Sequence, residues 1–293
     1  MCAAINGRDS YEAGPIHTRG HFLAEMPMDA EPPVLVRRRD DGDIGAAVAE
    51  IVLNRPGKRN ALGAASWQAL LDACAGLVAD PTVRVVVVRG APPAFSAGAD
   101  IAEFGEVFRD AAVAATYNDL VQAALGAVER LEMPTIAMIA GDCIGGGCGL
   151  ALACDLRFAA EGARFGITPA RLGLAYTLAD TRRLVDLVGP ARAKDILFSA
   201  RLLGAAEAHR IGLIDRLLPD DGGLEAAVRD YAGTLAANAA YSLGAIKRTV
   251  RMIAAGTRDD TPETRRWCDE AVEGPDFAEG WRAFLEKRRP VFG

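Results

Sequence analysis

The stretch Ile144-Gly-Gly-Gly-Cys-Gly-Leu-Ala-Leu-Ala-Cys-Asp155 follows the apolar run Thr135-Ile-Ala-Met-Ile-Ala140 and opens a run compatible with a helix. Successive glycines between a strand and a helix let the backbone turn sharply. They leave the first N–H groups of the helix unpaired, which is one way to hold an oxyanion. A tight turn without any ligand would use the same residues. A second cluster, Ala94-Phe-Ser-Ala-Gly-Ala-Asp100, narrows the choice, because it too follows a strand-like run, the Val-rich residues 83–89. Functional residues collect at such strand exits in parallel sheets.

Working outward, residues 33–38 and 46–53 carry β-branched apolar residues around Asp40-Asp-Gly-Asp43 and predict a hairpin. Asn54 to Leu62 reads as a loop. Residues 64–79 then place Trp67, Leu70, Leu71, Cys74 and Leu77 at helical spacing. Residues 83–89 read as a strand buried on both faces, as in a parallel sheet. An amphipathic helix is predicted over 111–131, ended by Pro134, and a strand over 135–140.

Further on, residues 150–156 form a strand-like or helical run, and 163–169 read as a loop. Helices are predicted at 184–188 and 191–198, separated by Gly189-Pro190, then at 205–211 before a strand-like stretch at 213–218. Four helical patterns follow, at 224–238, 242–255, 261–272 and 276–288. The sum is a series of β-β-α units with a helical tail.

With 51% apolar residues in 293, the chain can bury a substantial core as one large domain or two small ones. A net charge of -6, with no long run of Lys or Arg, argues against a nucleic-acid partner. Cys2, Cys74, Cys143, Cys148, Cys154 and Cys268 form no paired CxxC and lie mostly in apolar surroundings, which fits reduced thiols in the cytoplasm. No metal site is expected, and His17, His21 and His209 offer little material for histidine chemistry. Residues 1–33 mix Gly, Pro, His and charge without periodicity or a secretory pattern, and read as a flexible extension. No apolar run reaches the ~20 residues that cross a bilayer, so no membrane partner is expected.

Several nucleotide and hydrolase motifs fail on spacing. A Gly-x-Gly-x-x-Gly pattern begun at Gly145 or Gly147 ends on Leu150 or Leu152. Gly57-Lys58 is followed by Arg59, so the Ser or Thr of a phosphate loop is missing, and no Gly-x-Ser-x-Gly elbow surrounds Ser96.

Five patterns now stand together: Leu53-Asn-Arg-Pro with Asn60-Ala-Leu, Phe95-Ser-Ala-Gly-Ala-Asp-Ile101, Gly145-Gly-Gly with Cys154-Asp155, Phe165-Gly166, and Asp276-Phe with Glu279-Gly and Phe284-Leu-Glu-Lys-Arg288. In this combination the chain from about residue 34 to 293 resembles the crotonase superfamily, the enoyl-CoA hydratase and isomerase group. The resemblance implies an α/β fold, a spiral of repeated ββα units with a C-terminal helical region. It divides the chain into the extension 1–33, a core 34–223 and a trimerisation region 224–293. It further implies a coenzyme A thioester as substrate, no other cofactor, and assembly into homotrimers or dimers of trimers.

By the same resemblance, the backbone N–H groups of Ala99 and Gly146 match the pair that binds the thioester oxygen. Two fixed donors there stabilise the charge that gathers when a proton or carboxylate leaves the adjacent carbon, and losing one donor costs about 3 kcal/mol. A Cβ at Gly146 would crowd the ligand. Lys58, Arg59, Ala97, Asp100 and Ile101 are placed around the nucleotide end of coenzyme A, and Phe284 and Lys287 on an adjacent subunit's ligand. Solvated surface charge is the other reading of the basic residues.

The chain departs from the hydratase pattern where that pattern puts two glutamates. Those positions fall on Gly149 and Pro169, neither of which can transfer a proton, and a one-residue slip of the loop offers only Thr168 or Ala170. The stretch Phe165-Gly-Ile-Thr-Pro-Ala-Arg-Leu-Gly-Leu-Ala-Tyr176 is instead similar to methylmalonyl-CoA decarboxylase of the same superfamily, where the tyrosine sits beside the substrate's carboxylate. That branch keeps the first glutamate, which this chain lacks. Decarboxylation needs no base at carbon, so an oxyanion hole with Tyr176 as donor could serve.

Three readings follow: decarboxylation of a malonyl-type thioester, hydration or isomerisation by an atypical proton carrier, and acyl-CoA binding without catalysis. Tyr176 reads equally as a packing residue, Asp180 as a helix cap, and Arg171 as a salt-bridge partner or phosphate ligand. Glu103 and Glu106 read as the start of an acyl pocket or a solvated helix face.

Overall fold

The computed structural model describes residues 31–38 and 47–292. β1 (Val34–Arg38) runs antiparallel to β2 (Val48–Leu53) with Val34 opposite Leu53, as a hairpin requires. The turn expected at 40–43 and residues 1–30 of the extension expected at 1–33 lie outside the described residues. Beyond β2 the sheet continues in parallel through β3 (Val85–Gly90), β4 (Thr135–Ile139), β6 (Leu156–Ala160) and β9 (Arg216–Leu218). A second sheet holds β5 (Asp142–Ile144), β7 (Arg164–Gly166) and β8 (Leu203–Gly204).

Side chains along β3 alternate between two cores, the period of two that a pleated strand imposes. Val86 and Val88 join Trp67, Leu70, Leu125 and Val128 on the face covered by α1 (Ala64–Val78) and α3 (Ala111–Arg130). Val85 and Val87 join Leu224, Val228 and Ala232 of α7 (Asp221–Ala236) on the other face. All four valines are fully buried, each contributing on the order of 1.5–3 kcal/mol. A strand buried on both faces is what the unbroken valine run predicts.

Several expected elements differ from those observed. The loop expected at 163–169 contains the strand β7, which pairs parallel to β5 and antiparallel to β8 with Phe165 buried. At three residues it is too short to show a periodicity. The helices expected at 184–188 and 191–198 belong to α5 (Leu178–Ser199), which starts earlier because Thr177 accepts a hydrogen bond from Asp180 N, and which is interrupted at Gly189, where φ is 77°. The run at 150–156 divides between α4 (Gly146–Ala153) and β6.

The remaining helices are α2 (Phe104–Val107), α6 (Ala205–Arg210), α8 (Ala240–Ala254), α9 (Pro262–Glu273) and α10 (Pro275–Glu286). Lys247 of α8 reaches Asp155 at 2.7 Å and Arg248 reaches Glu132 at 2.8 Å, fastening that helix to the core. By contrast α10 leaves Phe277, Trp281, Phe284 and Leu285 exposed. None of the described helices is long and apolar enough to cross a membrane.

Candidate functional site

The first glycine turn is built by polar side chains turned inward. Asn60, fully buried and at φ 56°, donates from its amide to the carbonyls of Ala91 and Ala94 at 2.7 Å each and accepts from Arg55 N at 2.9 Å. Ser96 Oγ donates to Asn60 O at 2.8 Å and accepts from Gly98 N at 3.1 Å. Gly98 sits at φ 93°, and a Cβ on it would stand 2.8 Å from Ile144 O. Ala97 N and Asp100 N donate to Arg59 O and Leu62 O, at 2.9 and 3.0 Å. Between them Ala99 N–H has no acceptor among the described residues.

The second turn meets the first directly. Gly145, at φ 51°, donates to Gly166 O at 2.7 Å and caps α4 through its carbonyl, which accepts from Gly149 N at 3.0 Å. A Cβ on Gly147 would stand 2.6 Å from Ser96 Cβ, and one on Gly145 would stand 3.8 Å from Gly98 Cα. Gly146 N–H, the first of α4, has no protein acceptor among the described residues, as expected of a helix start. The residue packed against Gly146 is Trp67: a Cβ there would meet the indole at 3.1 Å, so Trp67 as well as any ligand excludes a larger residue. Trp67 Nε1 in turn donates to Tyr117 Oη at 3.3 Å, and burial pushes that phenol up to about 12. The helical spacing marks Trp67 as core and carries no signal of this second contact.

Arg59, Ala97 and Ile101 line a cavity of about 420 Å³ beside the turns, together with Ile144 and Thr168. Lys58 and Asp100 have another engagement. Asp100 Oδ2 lies 2.8 Å from Arg55 and 3.0 Å from Lys58, joining the 54–62 loop to the first turn. Burial pushes the Asp100 carboxyl up, but the hydrogen bonds from Lys58 and Arg55 outweigh it and hold the group below the usual range. Arg55 was visible only as part of the Leu53-Asn-Arg-Pro pattern. Phe284 lines a separate cavity of about 470 Å³ with Phe277, Trp281 and Phe292, and Lys287 follows α10 at φ 53°.

Tyr176 stands over the second turn, donating from its hydroxyl to Gly145 O at 3.3 Å. Burial, then the neighbouring Cys148, Asp180 and Cys143, push its phenol well above the usual range, so the hydroxyl keeps its proton at neutral pH. Gly149 is buried in α4, where a Cβ would meet only Leu125 Cδ1, at 3.6 Å. Pro169 opens the short 3₁₀ helix Pro169–Leu172, closed by Gly173 at φ 68°.

The other ionisable candidates are tied into structure. Asp180 accepts from Gln122 at 2.9 Å, Thr177 Oγ1 at 2.7 Å and Arg183 at 3.0 Å, as a group in the first turn of a capped helix. Glu103 accepts from Ala64 N at 2.8 Å and so caps α1, while Glu106 is exposed. Arg171 lines the 420 Å³ cavity and has no salt bridge among the described residues. His209 lies in the last turn of α6. Among the described residues, no group of three or more His, Cys, Asp or Glu is placed to hold a metal ion.

Proteins of similar sequence and fold are known. The sequence model of the family described as Enoyl-CoA hydratase/isomerase matches residues 43–293. The crotonyl-CoA hydratase of Syntrophomonas wolfei is 34% identical over 84% of this chain and 94% of its own length. The 2,3-dehydroadipyl-CoA hydratase of Escherichia coli is 33% identical over 83% of this chain and 93% of its own. A crystal structure of an enoyl-CoA hydratase/isomerase family protein from Hyphomonas neptunium superposes with a TM-score of 0.84 at 45% identity, over 89% of this chain and 97% of that one. The chain thus belongs to the enoyl-CoA hydratase/isomerase family of the crotonase superfamily.

Proposed function

We propose that the protein binds the oxygen of an acyl-CoA thioester between Ala99 N–H and Gly146 N–H and passes through the enolate. The observation that carries this is the pair of abutting turns in which the N–H groups of Ala97, Gly98, Asp100 and Gly145 are bonded while those of Ala99 and Gly146 have no acceptor among the described residues. Preorganised donors of this kind cost no reorganisation as charge develops. Arg59, Ala97 and Ile101 take part of the coenzyme in the adjoining cavity. Lys58 and Asp100 act by holding the loop that shapes it.

For the reaction itself, decarboxylation of a malonyl-type thioester fits the side chains best. The bond between the α-carbon and the carboxylate breaks, carbon dioxide leaves, and the electron pair is delocalised onto the held oxygen. Tyr176, protonated and over the second turn, donates a hydrogen bond to the departing carboxylate and then a proton to carbon, directly or through water. The missing glutamates at Gly149 and Pro169 also remove negative charge that would repel such a substrate.

A second reading, hydration or isomerisation by an atypical proton carrier, is favoured by the hydratase relatives. Turnover of crotonyl-, malonyl- and methylmalonyl-CoA, followed by mass spectrometry, separates the two. Loss of carbon dioxide supports the first reading and hydration of crotonyl-CoA the second. Tight binding of all three without conversion overturns both and leaves an acyl-CoA-binding protein.

Assembly into a homotrimer or dimer of trimers belongs to the same proposal. The exposed Phe277, Trp281, Phe284 and Leu285 support a neighbouring copy against α10, which would bring Phe284 and Lys287 to its ligand. The buried free thiols of Cys74, Cys143, Cys148 and Cys154 support a reducing compartment, the cytoplasm.

A further inference from the structure

The charges lining the 420 Å³ cavity do not balance. Arg59, Arg164 and Arg171 border it, with Asp142 as the one carboxylate among the described residues. Arg164 takes Asp142 in a two-pronged contact of 2.8 and 3.0 Å, and Arg59 shares it at 3.5 Å. Arg171 is exposed, and its guanidinium has no hydrogen bond or ion pair among the described residues. Its backbone is fixed all the same, because Arg171 N donates to Thr168 O at 3.1 Å within a 3₁₀ helix that Gly173 closes. A guanidinium on an anchored backbone, facing a cavity with two uncompensated positive charges, is built to receive an oxyanion.

We propose that Arg171 is a specificity-determining residue that recognises an anionic oxygen group of the bound thioester. The inference rests on the acyl-CoA reading above and adds a residue to it. Two parts of such a ligand supply this chemistry, the phosphates of the nucleotide and a carboxylate on the acyl chain. Arg171 lies two residues beyond Pro169, the position at which the hydratase pattern has an acid.

The test is calorimetric binding of butyryl-CoA, butyryl-pantetheine and malonyl-pantetheine to the wild type, Arg171→Gln and Arg171→Lys. A loss of about ten-fold or more in Arg171→Gln for butyryl-CoA, with butyryl-pantetheine unchanged, supports a phosphate contact. The same loss confined to malonyl-pantetheine supports a carboxylate contact. In either case Arg171→Lys recovers part of the affinity, and the gap narrows as salt is raised. Equal binding of every ligand by the wild type and Arg171→Gln overturns the proposal and leaves the acyl-CoA reading standing. A wild type that binds none of the three overturns both.

Discussion

The paired glycine turns and the segment from Thr168 to Leu178 border the same site but are held in opposite ways. The turns are knit by buried groups: Asn60, Ser96 and Gly147 press one backbone against the other with contacts that leave no room for a methyl group. The segment is a surface structure, with Leu172, Leu174 and Leu178 exposed and Tyr176 reaching back to the turn through one hydrogen bond. The contrast separates two tasks. Under the proposed function, stabilising an enolate oxygen falls to the rigid backbone, and choosing the reaction to the few side chains the exposed segment offers.

The sharpest way to break this contrast is to push the turns apart. Gly147→Ala puts a carbon 2.6 Å from Ser96 Cβ, so we expect kcat/KM to fall by about 10²-fold or more and stability by about 1–3 kcal/mol. Turnover and urea unfolding check it; a variant with wild-type rates would mean that the turns do not depend on each other. Tyr176→Phe should touch reaction and not scaffold. We expect kcat to fall by about 10²-fold with ligand affinity and melting temperature nearly unchanged, and full activity would remove Tyr176 from the chemistry. Because its phenol is held above the usual range, its own ionisation should leave kcat level across neutral pH.

A smaller effect is expected at the hinge between loop and turn. Asp100→Asn leaves Arg55 and Lys58 without their shared carboxylate, at about 1–3 kcal/mol. The folded carboxyl lies below its unfolded value of about 3.9, so its contribution is fully present above that pH and is lost as pH falls through the folded value. The stability gap between wild type and variant should therefore be constant near neutrality and close in acid. Smallest of all, Gly149→Ala meets only Leu125 at 3.6 Å inside a helix and should stabilise the fold by about 0.5–1 kcal/mol without changing turnover. A destabilised Gly149→Ala would show α4 to be as tightly packed there as at Gly147.

The same division governs what could be read from the chain. The valine run of β3, the helical spacing of Trp67, Leu70 and Cys74, and the end of α3 before Pro134 are local signals, and the elements stand where those signals place them. The strand β7 escaped because three residues carry no period, and α5 began early because its cap is a single threonine whose partner lies in the helix it starts. Pairings such as Lys58 with Asp100, or Trp67 beneath Gly146, join residues more than forty positions apart and leave no trace in spacing. Glycine clusters were legible because backbone chemistry needs glycine in the sequence itself. The engagements of Lys58, Asp100 and Glu103 were not, because a charged residue looks alike whether it faces a ligand or a helix end.

The proposed oxyanion hole requires Ala99 N–H and Gly146 N–H to meet at one oxygen. Isotope-edited infrared spectroscopy of an acyl-CoA bearing a ¹³C-labelled thioester carbonyl reads that contact without relying on turnover. Two donors on the oxygen should lower the stretching frequency of the bound carbonyl below its value in water, and Gly147→Ala should diminish the shift. A carbonyl that binds with its aqueous frequency unchanged would contradict the proposed hole.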